Sequence, residues 1–164
     1  MRDLAQRTRQ ANHLAVFDRG AAVVIAQQEA PDYWGFSIRI GAHISLFDTG
    51  SGHVLLAFRS AEEREMMISE HVRSRAEIEL GPDFYDRLDQ IRERGYEMMA
   101  SAQTSGVYNL SAPVLGPDGR CIAALTCPFI ALVNAPTAPD ISQATMLVQK
   151  AANQLSLLAG ARQR

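Results

Sequence analysis

The sequence has few cysteines, almost no charge imbalance and no long apolar run. It holds two cysteines in 164 residues, and its formal net charge is -2 at pH 7. Cys121 and Cys127 lie six residues apart in one predicted strand. At about 3.3 Å per residue they are roughly 20 Å apart, which is too far for a disulfide between them. Phosphate binding needs clustered Lys and Arg, so this chain alone should bind DNA poorly.

Segments for crossing or entering a membrane are also missing. No stretch approaches the roughly 20 apolar residues that span a bilayer, and the N-terminus lacks the pattern of a signal peptide. We therefore expect a cytoplasmic protein with no membrane contact. The length and the 47% hydrophobic content fit one compact domain over residues 1–164.

Signals for catalysis and metal binding are weak. The four histidines, His13, His43, His53 and His71, have no metal-ligand spacing, so we expect them to be solvated or on helix surfaces. His43 and Asp48 are the only candidate pair of metal ligands. No Ser-His-Asp arrangement and no carboxylate pair can be argued from spacing. We therefore predict no catalytic residue, no metal site, no cofactor and no enzyme activity.

Hydrophobic periodicity predicts a helix, three strands, three helices, three strands and a final helix. The first two strands form a hairpin around Asp18-Arg19-Gly20, and the third follows from the alternation of Phe36, Ile38 and Ile40. A turn over residues 116–119 joins the last two strands. Strand runs separated by helix runs predict an α+β domain with a mostly antiparallel sheet of about six strands, flanked by helices.

The last predicted hairpin has one face of mixed polarity. If Leu115 lies opposite Arg120, then Asn109 lies opposite Thr126. The apolar face should include Tyr108 and both cysteines, whereas the other face carries Val107, Asn109, Ser111, Ala124, Thr126 and Pro128. This second face predicts either a small ligand cavity or a solvent-facing side of the sheet. Met98 and Met99 in the neighbouring strand favour an adaptable binding wall.

The stretch TGSGHV, residues 49–54, is a glycine turn that opens a helix. It lacks the lysine and the glycine spacing of phosphate-binding loops. Backbone N–H groups at the helix start lack partners, and Gly50, Ser51 and Gly52 are bare enough there for a carboxylate to approach and bind. The alternative is a tight turn that lets the helix dock closely on the sheet.

Three stretches taken together are more specific than any one of them. IGAHISLFDTGSGHVLLAF, LDQIRERGYE and SGVYNLSAPVLGPDGRCIAALT resemble, in this order and spacing, the effector-binding domain of IclR-type transcriptional regulators. The resemblance runs from about Leu4 to Leu158. It implies a GAF-like domain whose curved antiparallel sheet holds a small effector, often an organic acid. The ligand-binding positions that we predict, from the resemblance and from the mixed face, are Phe36, Ile44, Gly50, Ser51, Met99, Val107, Asn109, Thr126 and Pro128.

Two departures from the family pattern bear on the effector. Met99 stands where some members have an acidic or polar residue, and Pro128 stands where a hydroxyl is expected. Both make the cavity less polar, so we predict a larger, relatively apolar or aromatic carboxylate in place of a glyoxylate-like or pyruvate-like acid. The alternatives are an oligomerisation module with a vestigial pocket and, less favoured, a small GAF-like enzyme.

The resemblance also implies partners. The family carries an N-terminal winged helix-turn-helix, for which the roughly ten residues before the first predicted strand leave no room. We therefore expect DNA contact only through a helix-turn-helix domain absent from this chain. The resemblance to this family implies that the chain forms a homodimer or a homotetramer.

Overall fold

The computed structural model describes residues 1–32, 35–74, 80–133 and 135–161. The elements follow the predicted order: α1 (Arg2–Thr8), β1 (Asn12–Asp18), β2 (Ala21–Gln28), β3 (His43–Ile44), α2 (Gly50–Ala57), α3 (Ala61–Ser74), α4 (Pro82–Arg94), β4 (Glu97–Ala100), β5 (Tyr108–Leu115), β6 (Cys121–Phe129) and α5 (Ile141–Leu158). Within these described segments, none of the helices is long and apolar enough to cross a bilayer.

The six strands form one antiparallel sheet in the order β3-β2-β1-β6-β5-β4. One face packs against α1 and α5 through an apolar cluster that includes Leu4, Leu125 and Val148. The opposite face packs against α2, α3 and α4 through a second cluster that includes Leu55 and Leu88. This arrangement confirms the predicted α+β class, and it places α2 directly on the sheet.

The register of the last hairpin differs from the prediction by two residues. Asn109 pairs with Pro128, and Ser111 pairs with Thr126. A shift of two keeps every side chain on its predicted face, because the side-chain period of a strand is two. Between Val114 and Leu115 the register slips again, because Leu115 pairs with Cys121. Such a bulge reverses the facing of later residues, so the prediction for Cys121 was wrong, and this residue packs in the α2 cluster.

The third strand was predicted in the wrong place. Residues 35–39 pair with no strand, and the pairing residues are His43 and Ile44, opposite Val23 and Ala22. Alternation of apolar and polar residues indicates that one side of the segment is buried, but it does not identify the element that buries it. Tyr108 was also predicted on the core face, but its side chain is 44% exposed. The predicted end of the α3 helix at Arg75 lies outside the described residues.

Candidate functional site

A cavity of about 340 Å³ lies beside the start of α2. Its volume falls within the range of small-molecule sites. The residues that line it are His13, Phe36, Ile38, His43, Ile44, Ser45, Asp48, Thr49, Gly50, Ser51, Ser101, Gln103, Asn109 and Thr126. They come from β1, from the segment before and after β3, from the start of α2, from the loop after β4, and from β5 and β6. The cavity therefore combines parts of the chain that are far apart in sequence.

A chain of hydrogen bonds among four buried side chains runs along the polar side of the cavity. His13 Nε2 lies 3.3 Å from Ser51 Oγ, which lies 2.8 Å from Thr126 Oγ1. Thr126 Oγ1 also lies 2.7 Å from Ser111 Oγ. Burial lowers the pKa of His13 to about 4, so the ring is neutral near pH 7. This side of the cavity is consequently polar but uncharged.

Asn109 is a buried polar side chain outside this hydrogen-bond chain. It lines the cavity and is 8% exposed. Its carboxamide makes no hydrogen bond to any other residue that the structure describes. Neither polar atom of this carboxamide is buried without a partner, so both reach the solvent of the cavity. The Asn109 amide is therefore available to a molecule in the cavity.

The start of α2 packs tightly on the sheet. A Cβ atom on Gly50 would lie 2.5 Å from Ser111 Oγ and 3.3 Å from Asn109 Cβ, and one on Gly52 would lie 2.5 Å from Leu46 Cα. Thr49 caps the helix by accepting a hydrogen bond from the Gly52 amide at 3.1 Å. The first amides of a helix have no acceptor in a preceding turn, which leaves those of Gly50 and Ser51 for other partners. The glycines thus allow close docking, and Gly50 and Ser51 also line the cavity.

A buried ionic cluster holds α2 against β4 and α4. Glu97 is fully buried and accepts hydrogen bonds from His53 Nδ1 at 3.0 Å, Arg87 Nε at 2.7 Å and Arg94 Nη2 at 2.5 Å. His53 Nε2 lies 2.8 Å from the Phe47 carbonyl oxygen, so both ring nitrogens of His53 have hydrogen-bond partners. Burial raises the pKa of Glu97, but hydrogen bonds and charges from His53 and Arg87 outweigh it and lower the pKa to about 2. Because His53 lies three residues beyond Gly50, the cluster fixes the helix that carries the cavity amides.

Apolar side chains line another part of the cavity. Phe36 and Ile38 come from the segment before β3, and Ile44 comes from β3 itself. Phe36 and Ile38 alternate along the chain, which explains why their pattern predicted a strand. The cavity therefore suits a molecule with a polar end and an apolar body.

The sequence matches a family model described as "Bacterial transcriptional regulator IclR C-terminal" over residues 1–157. The chain belongs to the IclR family. Among curated IclR relatives, it is 30% identical over 132 residues to the HTH-type transcriptional regulator KdgR of Escherichia coli (strain K12), a match that covers 79% of this chain and 50% of KdgR. It is 28% identical over 127 residues to XynR of the same organism, covering 76% of this chain and 50% of XynR. The chain thus spans about half the length of these relatives, which are transcriptional regulators and not enzymes by name.

Solved structures of the IclR family share the fold. The C-terminal domain of E. coli KdgR superposes with a TM-score of 0.76 at 26% identity, covering 98% of this chain and 93% of that one. Pseudomonas aeruginosa HmgR superposes with a TM-score of 0.80 at 22% identity, covering 99% of this chain and 65% of that one. The predicted IclR resemblance and fold are confirmed.

Most of the predicted ligand positions come together at the cavity. Six of them line it: Phe36, Ile44, Gly50, Ser51, Asn109 and Thr126. The mixed face of the hairpin is buried, with Asn109, Ser111 and Thr126 at most 8% exposed, so it does not face solvent. The geometry thus supports the cavity over a solvent-facing sheet, while ligand binding by these six residues stays a prediction.

Three predicted positions do not line the cavity. Met99, Asn109 and Pro128 form a row across β4, β5 and β6, in which Asn109 alone lines the cavity. Val107 is 2% exposed, and its carbonyl accepts a hydrogen bond from the Ser101 amide at 2.8 Å. Strand register alone could not distinguish the positions that line the cavity from those that do not, because residues on one face of the sheet need not all reach the cavity.

The expectation of solvated histidines was wrong for three of the four. His13, His53 and His71 are at most 3% exposed, and each has a hydrogen-bond partner. His43 is exposed, and it lines the cavity with Asp48. No group of three or more His, Cys, Asp or Glu side chains among the described residues is placed to hold a metal ion. Sequence reasoning missed His13 because only the pairing of β1 with β6, which sets it opposite Thr126, brings it to the site.

Proposed function

We propose that this domain is the ligand sensor of an IclR-type transcriptional regulator, and that it binds a small carboxylate-bearing effector in the cavity beside α2. The observation that carries the proposal is Asn109, a buried carboxamide that lines the cavity and has no partner in the described part of the chain. The residue is 8% exposed, yet its carboxamide is neither bonded within the described protein nor sealed from solvent, so it is a donor and an acceptor open to the cavity. A ligand in the cavity would bond to this amide in place of water.

The first turn of α2 supports a carboxylate as the anchoring group. The amides of Gly50 and Ser51 lie at the positive end of a helix dipole, and Gly50 packs beside Asn109. No Lys or Arg occurs among the described lining residues, so the anion would be held by neutral donors. Preorganised amide and hydroxyl donors can stabilise a carboxylate without a cation.

The size and the apolar side of the cavity support an effector with an apolar or aromatic body. A water molecule occupies about 30 Å³ in the liquid, so the cavity corresponds to about ten waters. An acid of two or three carbons would leave much of it unfilled and would not contact Phe36, Ile38 and Ile44 together.

In the complete regulator, effector binding would alter DNA affinity by favouring one arrangement of domains and subunits. Such a protein would act in the cytoplasm, where bacterial DNA lies, as a sensor and not as an enzyme. Exposed apolar side chains on α5, namely Met146, Leu157 and Leu158, support the predicted homodimer or homotetramer.

A thermal-shift screen of monocarboxylates tests the proposal. A ligand at a hundred times its dissociation constant adds about 2.7 kcal/mol to the unfolding free energy, or about 5–10 °C in Tm for a domain of this size. Asn109→Ala should abolish the shift, whereas Asn153→Ala, at an exposed position in α5, should retain it. Stabilisation only by two-carbon and three-carbon oxoacids, or only by polyhydroxylated acids such as gluconate, would refute the apolar class. Equal binding by the Asn109 variant would refute the site.

A further inference from the structure

Asp48 gives the cavity a negatively charged rim. It is exposed, lines the cavity, and directly precedes Thr49, the N-cap of α2. Its side chain has one hydrogen-bond partner in the described structure, the exposed Gln103, whose Nε2 lies 3.4 Å from Asp48 Oδ2. A carboxylate has about four acceptor positions, so most of those on Asp48 remain available.

No other charged side chain balances Asp48 at this site. The described lining residues contain no Lys or Arg, and the remaining titratable ones are His13 and His43. His13 is neutral near pH 7, since burial lowers its pKa to about 4. A second carboxylate on a ligand would therefore meet Asp48 without a fixed cation between them, which is unfavourable at short range.

The two polar ends of the cavity differ in what they offer. Asn109 is deeply buried and packs beside Gly50, so the donors proposed for the effector carboxylate are at the inner end. Asp48 and the exposed Gln103 are at the outer end, where the site offers an acceptor. A ligand that fits both ends carries an anion at one end and a hydrogen-bond donor at the other.

We infer that Asp48 determines specificity: it accepts a hydrogen bond from a hydroxyl or ammonium group at the end of the effector remote from the carboxylate, and it rejects dicarboxylates. This inference rests on the proposed effector function of the same cavity. Because Asp48 is exposed and its charge is screened by solvent, a donor that reaches it improves affinity by about twofold to fivefold over a ligand that lacks the donor. The effector class is thus a monocarboxylate with an apolar body and a distal donor.

Titration calorimetry with four matched acids tests the inference. The probes are 3-phenylpropionate and its para-hydroxy, para-aminomethyl and para-carboxy derivatives, measured at pH 8, where unperturbed imidazoles are neutral. At least one of the hydroxy and aminomethyl acids should bind about twofold to fivefold more tightly than the parent acid, and the carboxy acid should bind more weakly by a similar factor. The tighter binder of these two acids shows whether the distal donor of the effector is a hydroxyl or an ammonium group.

Two variants separate the two parts of the inference. Asp48→Asn keeps an acceptor but removes the charge, so it should bind the para-carboxy acid as tightly as the parent acid. Asp48→Ala removes both, so the preference for the donor should disappear. Asp86→Asn, an exposed position in α4, is the control and should behave like the unmodified protein. Unchanged urea unfolding in each variant checks that the fold is intact.

The failing outcomes are distinct from failure of the proposed function. If the parent acid binds but the para group makes no difference, or if Asp48→Ala retains the preference, the role of Asp48 is refuted and the sensor proposal stands. If none of the four acids binds at millimolar concentration, the assigned effector class is refuted. The Asn109 comparison in the wider screen then decides whether the cavity is a sensor site.

Discussion

Replacing Gly50 with alanine should disrupt the contact between α2 and the sheet. The added Cβ would lie 2.5 Å from Ser111 Oγ, closer than real Cβ contacts come, and 3.3 Å from Asn109 Cβ. Ser111 could rotate its hydroxyl away, but it would then lose its 2.7 Å hydrogen bond to Thr126 Oγ1. Otherwise α2 must move off the sheet, which would separate the donors around the cavity.

The expected cost is about 2 kcal/mol. Overpacking a well-filled interior costs about 1–3 kcal/mol, and loss of a hydrogen bond costs about 1 kcal/mol. The better helix propensity of alanine offsets up to about 1 kcal/mol. For a domain of this length, the net change corresponds to about 4–8 °C in Tm.

A double-mutant cycle with Ser111→Ala identifies the clash as the cause. Ser111→Ala alone should cost about 1 kcal/mol for the lost hydrogen bond, and it removes the atom that the new Cβ would meet. The double variant should therefore be destabilised by about 1 kcal/mol, well below the sum of the two single changes. Urea unfolding measures all three. Additive effects, or a Gly50→Ala variant as stable as the original protein, would show that the close approach is not what fixes α2.

Three further predictions concern buried ionisable groups. Glu97→Gln should cost about 3 kcal/mol in urea unfolding because it leaves His53 and two arginines without their shared carboxylate, whereas the exposed Glu93→Gln should have little effect. The pKa of Glu97 is lowered from 4.5 to about 2 in the folded protein, so its contribution to the unfolding free energy is present above pH 4.5 and is lost as the pH falls towards 2. The Glu97→Gln variant should lack this loss of stability in acid. His13 affects stability in a different pH range. Its pKa is lowered from 6.5 to about 4 in the folded protein, so between these pH values the unfolded chain binds more protons than the folded one. Stability should fall by up to about 1.4 kcal/mol per pH unit on acidification from pH 6.5 to 4, and His13→Gln should remove this slope. Burial raises the pKa of Cys121 and Cys127 to about 12, so neither thiol should react with Ellman's reagent at pH 8 until urea unfolds the protein; reaction at the rate of a free thiol would contradict their burial.

Local signals were sufficient to predict the order of elements. Thr49 caps α2 and Gly95 ends α4 in the left-handed conformation with φ 84, as expected from their positions beside apolar periodic runs. The charged cluster around Glu97 was not predictable in this way. Its members lie on α2, α4 and β4, and only the packing of these elements brings His53, Arg87 and Glu97 within hydrogen-bond distance. The sequence offered Asp48 only as a disfavoured metal ligand beside His43, and it gave no sign that Asp48 lies at the rim of the cavity with Gln103 as its hydrogen-bond partner.

The residues of the candidate site were predicted on the correct face of the sheet although the assumed strand register was wrong, because side chains alternate between the two faces of a β-strand. The assumed pairing of Asn109 with Thr126 was wrong by two residues, yet an even shift leaves each side chain on the same face of the sheet. An odd shift would have moved Asn109 and Thr126 to the α5 side, and the bulge beside Leu115 shows this effect on Cys121. Prediction of a face therefore needs only the alternation along a strand. Prediction of which residues on that face reach a cavity needs the element above it, here α2, whose position depends on the contacts of Gly50 and His53.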